Sequence, residues 1–331
     1  MKIKIYGAGT WGTALAEVLV LNGHSVFLWH YRKEFINQIQ NSLTHPNLSS
    51  YQLSKEIRFT NQIQTSNKFD FLIFAIPCQK LRELLQKLDF TNINSVIISA
   101  SKGLEKQSGK TMSEVISENP QINARKICVL YGPTHAEEVI KKIPTTIVAS
   151  SIDEGVSKSV QKIFSNQFFR VYRNSDIKGV EIGGSIKNII AIAAGICKGV
   201  GFGDNTIAAI IVRGCEEFSY LGKVLGANRS TFFGLSGMGD LIVTATSKHS
   251  RNRKVGEWIG QGLNISQIEN NLNMVAEGIE TTKAVRALAK EKNIDMPICF
   301  QVYQIIFKGK DPLLAMKELM TRKLKIEHKN N

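Results

Sequence analysis

The hexapeptide Gly7-Ala8-Gly9-Thr10-Trp11-Gly12 constrains this chain more than any other feature, because of where it stands. It follows directly on the strand-like Lys2–Tyr6 and opens a helical pattern that runs to Leu21. After the stop signal Asn22-Gly23 comes a second strand-like run, Ser25–Trp29. A G-x-G-x-x-G is weak alone, but between strand and helix it is the fingerprint of a dinucleotide-binding fold. Gly7 permits the tight turn, Gly9 lets a pyrophosphate approach the backbone, and Gly12 packs helix against strand, so the phosphates meet the helix N-terminus.

The same rhythm fills the first half. Short apolar runs recur at 69–76, 95–99, 126–131, 145–149 and 168–172, separated by helical patterns, as βαβ units and a mostly parallel sheet require. Beyond about residue 178 strand signals nearly vanish, and helical stretches follow at 179–200, 204–226, 250–262, 275–293, 297–308 and 311–321. The expected fold class is α/β plus all-α: a doubly wound Rossmann domain over 1–178, then an all-helical domain over 179–331. A length of 331 residues suffices for two such cores. The stretches 41–55 and 61–68 read as surface connections, and neither repeats nor low-complexity segments occur.

A net charge of +14 would attract phosphorylated metabolites and dinucleotides. It does not point to nucleic acid, because Lys and Arg are scattered apart from the run after Thr321, without aromatic interleaving or an RNA-binding motif. Five cysteines, odd in number and without a C-x-x-C pair, read as reduced core residues. With no signal-peptide pattern and no uninterrupted apolar segment of spanning length, a cytoplasmic location and no membrane span are expected. His24, His30, His45, His135, His249 and His328 lack paired ligand spacing, so no metal is expected. A G-x-S-x-G elbow is absent as well. The chemistry is then left to a dinucleotide and a proton donor.

The best candidate for that donor is Lys187, which with Asn188 interrupts an otherwise apolar helical segment. Ala191, Ala194, Gly195 and Lys198 share its face, small enough for a ligand or another backbone to come close. Three further segments sit at strand ends or helix starts, where ligands collect in an open α/β sheet. One is Ser99 to Gly103, with Lys102; another is Tyr131 to Ala136, with Gly132 and with Thr134 as a helix cap. Both also fit plain loop punctuation. The third runs from Gly237-Met238-Gly239-Asp240 through Thr244 to Ser250-Arg251-Asn252-Arg253. There Ser250 fits an N-cap, and the amides after it, with Arg251 and Asn252, would make a pocket for a phosphate monoester. A capped, basic first turn is also common on surfaces, but positive charge at a helix N-terminus opposes the macrodipole, a conflict an anion would remove. After Trp29 no acid appears before Glu34, so Arg32 and Lys33 suit the 2′-phosphate of NADP; they also fit as exposed charges opening the next helix.

GAGTWGTALA from Gly7, ISASKGLE from Ile98, YGPTHAEEV from Tyr131, the run from Gly179 to Asn205, GLSGMGDLIVTATSKHSRNRKVG from Gly234 and VAEGIETTKAV from Val275 are long and occur in order. Through them the chain resembles the bacterial, single-chain NAD(P)-dependent glycerol-3-phosphate dehydrogenases over nearly its whole length. The resemblance implies reversible hydride transfer between dihydroxyacetone phosphate and glycerol 3-phosphate, physiologically for phospholipid synthesis, in a homodimer. It implies Lys187 as acid/base and Asp240 as its partner, with Asn188 and Thr244 beside them. Lys102, Gly132, Thr134, Ser250, Arg251 and Asn252 would hold the substrate, and Thr10, Trp11, Tyr31, Arg32, Lys102, Ala136, Arg251, Val275 and Glu277 would touch NADPH or NADH. Two departures stand out: His135 replaces the usual Phe, and the stretch around 47–54 lacks the usual Tyr-Leu-Pro-Gly. Two other readings are a Rossmann dehydrogenase of a 3-hydroxy acid or sugar acid, which needs a carboxylate pocket instead, and a non-catalytic dinucleotide-binding regulator, which has no need of Lys187.

Overall fold

The apolar runs of the first half form the strands β1 (Lys2–Tyr6), β2 (Ser25–Trp29), β3 (Arg58–Thr60), β4 (Phe71–Phe74), β5 (Val96–Ser99), β6 (Ile127–Tyr131), β7 (Thr145–Ser150) and β8 (Phe169–Asn174). The computed structural model describes residues 1–64, 68–271, 277–324 and 326–327. The strands make one sheet in the order β3-β2-β1-β4-β5-β6-β7-β8, parallel throughout except between β6 and β7. The edge strand β3 was not expected, since three half-exposed residues are too few to show an alternation. The chain builds outward from β1 to β3 and then returns to the other side of β1 as β4. The strand order therefore reverses between β1 and β4, and a crevice opens beyond their carboxyl ends.

Both faces of this sheet are covered, which is why its strands are nearly continuous in apolar residues. On one face Ile3, Ile5, Ile73 and Ile98 pack under α1 (Thr10–Leu21) and, with α2 (Lys33–Ser42) toward the edge, under elements later in the chain. On the other, Tyr6, Leu72, Phe74 and Ile97 pack under α3 (Leu81–Gln86) and α4 (Met112–Ser117). Two short connections complete the half: α5 (Ala136–Val139) after β6 and α6 (Glu154–Phe164) after β7, the latter returning to the first face.

The stretch 41–55 is not a plain surface connection. Leu48 and Leu53 bury themselves with Ile39 and Ile140 in a small separate cluster, and His45 is only 2% exposed. These burials follow no helical or strand period, so the sequence pattern did not reveal them. Likewise the carbonyls of Gln62, Ile63 and Gln64 accept hydrogen bonds from the buried Lys4 ammonium at 2.9, 3.3 and 2.5 Å, which draws this connection onto the sheet. Residues 65–67 lie outside the described residues.

After β8 the chain is helical: α7 (Ile177–Val200), α8 (Asp204–Val224), α9 (Asp240–Thr246), α10 (Arg251–Gly260), α11 (Ile265–Asn271), α12 (Glu277–Glu291), α13 (Pro297–Lys308) and α14 (Pro312–Met320). Neither α9 nor α11 was expected, because two turns are too short to display a 3.6-residue period. α7 begins where Asp176 accepts a hydrogen bond from the Gly179 amide at 2.9 Å, and α8, α9, α10, α12 and α13 pack around it. It is apolar on all sides because it is enclosed on all sides. By length and composition α7 could cross a membrane, but its apolar window is wholly buried inside the fold.

The small face of α7 receives a neighbouring backbone. A Cβ on Gly195 would overlap the Arg253 carbonyl oxygen, and one on Gly256 would overlap the Ile192 carbonyl, so α7 and α10 cross at glycines. This crossing fixes the start of α10 relative to Lys187.

Candidate active site

The crevice at the β1/β4 reversal opens into a cavity of about 420 Å³ shared with the helical half. Gly9, Thr10, Trp11 and Ala136 line its sheet side. Gly7, at φ +120°, makes the turn beneath, and a Cβ on Gly12 would fall on the Gly7 carbonyl oxygen. Only hydrogen at both positions lets the loop close this tightly. α1 carries no side-chain cap and no acid in its first turn, so no side chain competes for its leading amides. The Trp11 indole nitrogen is buried at the same wall without a hydrogen-bond partner, and open space lies in front of Gly9. An anion resting on this helix end would meet those donors.

Facing the loop, α7 carries Lys187 and Asn188, which are 6% and 5% exposed. A π-helical turn over Leu235–Gly239 leads into Asp240. There a Cβ on Gly183 of α7 would come within 3.1 Å of the Ser236 carbonyl, so α7 and the turn pack backbone to backbone and Asp240 stands opposite Lys187. The Lys187 ammonium donates to one Asp240 carboxylate oxygen and to Thr244 Oγ1, the latter at 2.9 Å; Thr244 in turn donates to the Asp240 carbonyl at 2.5 Å. Lys102, from the end of β5, donates to the other Asp240 oxygen at 2.8 Å and to the Gly132 carbonyl at 2.9 Å. Two lysines thus bridge one carboxylate that is 1% exposed. Burial pushes the Lys187 ammonium well below the ordinary lysine range; Asp240 opposes the shift and Lys102 adds to it.

The start of α10 lies across the cavity. Ser250 caps α10, its hydroxyl accepting from the Arg253 amide at 3.2 Å. Arg253 turns away to the Ser247 carbonyl at 2.9 Å and to Glu257 at 3.0 Å, so it braces the helix, while Arg251 lines the cavity. Asn252 also lines it and accepts from the Gly278 amide at 3.0 Å, tying the start of α12 to this corner. Glu277 is half-buried beside them; burial pushes its carboxyl up, and Arg251, Lys102 and Lys187 pull it down.

Several expectations need adjustment. Thr134 does not cap α5: the cap position is His135, and the Thr134 hydroxyl turns back to the Gly132 carbonyl at 3.1 Å, although Thr134 still lines the cavity. Tyr31 is 63% exposed, just past the carboxyl end of β2, with the Arg32 guanidinium 5.1 Å over its ring. Val275, like His328, lies outside the described residues. The five cysteines are buried and unpaired, and among the described residues no cluster of His, Cys, Asp or Glu is placed to hold a metal.

Sequence reasoning missed two features. One is the sharing of Asp240 by Lys102, 138 positions earlier in the chain, for which no local signal exists. The other is the pair His135 and His249, with ring centroids 5.7 Å apart at the cavity wall. Their positions next to Thr134 and Ser250, inside two segments already singled out, were the available clue. Burial and the nearby Lys187 push the His135 imidazole toward the neutral form.

An ammonium has three donors. Lys187 and Lys102 each spend two on protein oxygens, which leaves each one N–H for the cavity. With Arg251, three cations line the cavity beside the carboxylates Glu137, Asp240 and Glu277, and Lys187 and Lys102 both lean on Asp240.

Comparison with known proteins agrees with this chemistry. Residues 2–157 match the family described as NAD-dependent glycerol-3-phosphate dehydrogenase N-terminus, and residues 176–317 match the corresponding C-terminus. A glycerol-3-phosphate dehydrogenase [NAD(P)+] from Chlorobium limicola is 46% identical, with 99% of each chain covered. One from Staphylococcus aureus is 44% identical, covering 98% of this chain and 99% of that one. The crystal structure of the enzyme from Coxiella burnetii superposes with a TM-score of 0.90 at 33% identity, covering 97% of this chain and 99% of that one.

Proposed function

The chain belongs to the NAD-dependent glycerol-3-phosphate dehydrogenase family, and from that premise we propose that it interconverts dihydroxyacetone phosphate and sn-glycerol 3-phosphate with Lys187 as the acid/base. The observation that carries the proposal is the Lys187–Asp240–Lys102 array, two ammonium groups sharing one buried carboxylate at the wall of the cavity. The open helix end at Gly9 and the unpartnered Trp11 indole fit a dinucleotide, whose nicotinamide supplies or accepts the hydride when bound.

In the reducing direction the remaining Lys187 N–H points to the substrate carbonyl oxygen and delivers its proton as negative charge develops there. Lys102 directs its own free N–H to the same region and stabilises that charge. Asp240 and Thr244 fix the Lys187 rotamer and keep two adjacent ammonium groups from repelling each other apart. Asn188 stands one residue on along the same wall. In the oxidising direction the lowered pKa of Lys187 lets the neutral amine form closer to neutral pH, so that it can accept the proton. The phosphate rests on the start of α10, held by Ser250, Arg251 and Asn252, with Gly132 and Thr134 completing the substrate's surroundings.

The division of labour follows the chain: residues 1–178 bind the dinucleotide and 179–331 supply the acid/base and the phosphate pocket. The absence of an acid between Trp29 and Glu34, and the exposed Arg32, favour NADPH over NADH. The proposal includes a cytoplasmic homodimer that works without a metal and feeds phospholipid synthesis; five buried, unpaired thiols suit a reducing compartment.

The test is the initial rate of NADPH and NADH oxidation by purified protein with dihydroxyacetone phosphate. Turnover with this ketone, faster with NADPH, is the expected result, and Arg32→Asp shifts the ratio of kcat/KM toward NADH. No turnover with dihydroxyacetone phosphate while a 3-hydroxy or sugar acid is oxidised would overturn the assignment.

A further inference from the structure

The imidazole of His45, 2% exposed, lies behind the glycine turn. Its Nδ1 accepts from the Asn47 amide at 3.1 Å, which makes that nitrogen the unprotonated one. The other ring nitrogen, Nε2, is therefore the N–H, and it donates to the Ala8 carbonyl at 3.2 Å. The ring is held edge-on to Phe35, with centroids 5.6 Å apart, and Phe35 packs against His30 at the end of β2 at 4.3 Å. No other side chain bonds the Ala8 carbonyl among the described residues.

That carbonyl belongs to the peptide joining Ala8 to Gly9. Glycine rotates about φ at little cost, so a peptide plane ending on Gly9 is free to swing unless something grips it. The peptide is trans, and in a trans peptide the N–H points opposite to the C=O. With the Ala8 oxygen drawn back onto His45, the Gly9 N–H is turned away from His45. Gly9 lies on the cavity wall where α1 begins.

We propose that His45 is a positioning residue for the dinucleotide, gripping the Ala8 carbonyl so that the Gly9 amide is pre-aimed at the pyrophosphate. The inference rests on the assignment of Gly7 to Gly12 as the dinucleotide cradle. The turn Pro46–Leu48, with His45 at its N-cap position, holds the ring behind the loop.

Two substitutions separate the ring's two bonds. In His45→Asn the side-chain oxygen still accepts from the Asn47 amide, as an Asx turn, but the shorter side chain does not reach Ala8. In His45→Gln the amide nitrogen stands where Nε2 stood and donates to Ala8, while the bond from Asn47 is lost. Dissociation constants for NADPH and NADH are read by fluorescence titration without substrate, alongside thermal midpoints. His45→Gln is expected to bind within about twofold of the parent. His45→Asn should bind roughly five- to tenfold more weakly, the weight of one net hydrogen bond. For both variants kcat at saturation and KM for dihydroxyacetone phosphate should stay near the parent values. Should His45→Asn fail to fold, His45→Leu against His45→Gln gives the same comparison. Equal affinity in the Asn and Gln variants, or a loss confined to kcat, would overturn the proposal. A parent protein that binds neither dinucleotide would instead overturn the cradle assignment itself.

Discussion

A single methyl group at Gly195 should cripple the enzyme from about 12 Å away, the rise of eight helical residues between it and Lys187. A Cβ there would overlap the Arg253 carbonyl oxygen and lie 2.9 Å from both the Arg253 carbonyl carbon and the Glu257 amide. These are backbone atoms of α10 and have no rotamer to escape into. Overpacking of this kind costs about 1–3 kcal/mol, while exchanging Gly for Ala in a helix interior returns about 1 kcal/mol. The net loss, about 0–2 kcal/mol, would move the thermal midpoint by only a few degrees. Catalysis should be hit harder, because α10 must retreat on the order of 1 Å and it carries Ser250, Arg251 and Asn252. A misplacement of that size can cost about 10²-fold in rate. In Gly195→Ala, kcat/KM for dihydroxyacetone phosphate, followed by NADPH consumption, should fall about 10- to 100-fold in a protein that still melts cooperatively. Parent-like kcat/KM in the folded variant would show that the glycine crossing does not set the distance between the acid/base and the phosphate pocket.

Arg251→Ala should raise KM for dihydroxyacetone phosphate about 10- to 150-fold, since a charge-assisted pair in a partly dry site is worth about 1.5–3 kcal/mol; turnover of dihydroxyacetone, which lacks the phosphate, should be slow in the parent and scarcely altered. Equal losses for both ketones, with dinucleotide affinity unchanged, would remove Arg251 from the phosphate pocket. Glu217 reaches from α8 to accept from the Ile298 and Cys299 amides at the start of α13, at 2.6 and 3.1 Å, and burial pushes its carboxyl up to about 7. Because the folded value exceeds the unfolded one of about 4.3, this group's contribution to stability is complete below that pH and is lost as the pH rises through 7. Glu217→Gln, which sets an amide nitrogen against one of the two N–H groups, should lower the thermal midpoint and flatten its decline between pH 5 and 8. A decline as steep as the parent's would assign it to other groups.

The glycine turn was legible because its meaning is local: a strand, three glycines and a helix within twenty-odd residues admit few alternatives. So was the start of α10, where Ser250 is the cap its sequence suggested. Lys187 was legible by contrast, as a charge in an apolar helix, and Asn188 with it. What the sequence hid is what depends on distance along the chain. The sharing of Asp240 between Lys102 and Lys187 joins β5, α7 and α9, three elements with no common pattern. α9 itself was invisible, since it begins in a π-helical turn of glycines that reads as loop. The small face of α7 was noticed without its purpose, because a groove for a ligand and a seat for a helix require the same residues. Thr134 was assigned as a cap on composition, yet its hydroxyl found a nearer acceptor in Gly132. His45 passed as one of six histidines without a metal, and only its two ring bonds disclose where it sits.

The most direct test of the account is single-turnover reduction of dihydroxyacetone phosphate by Lys187→Met, with NADPH affinity measured on the same preparation. Methionine keeps the length and apolar stem of the side chain, and it removes the proton and one of the two cations on Asp240. General acids and bases contribute roughly 10²–10⁴-fold to rate, so a loss of that order is predicted, with the NADPH dissociation constant within about twofold of the parent. A variant that folds, binds NADPH and reduces the ketone at near the parent rate would contradict the assignment of Lys187 and leave the proton to come from elsewhere.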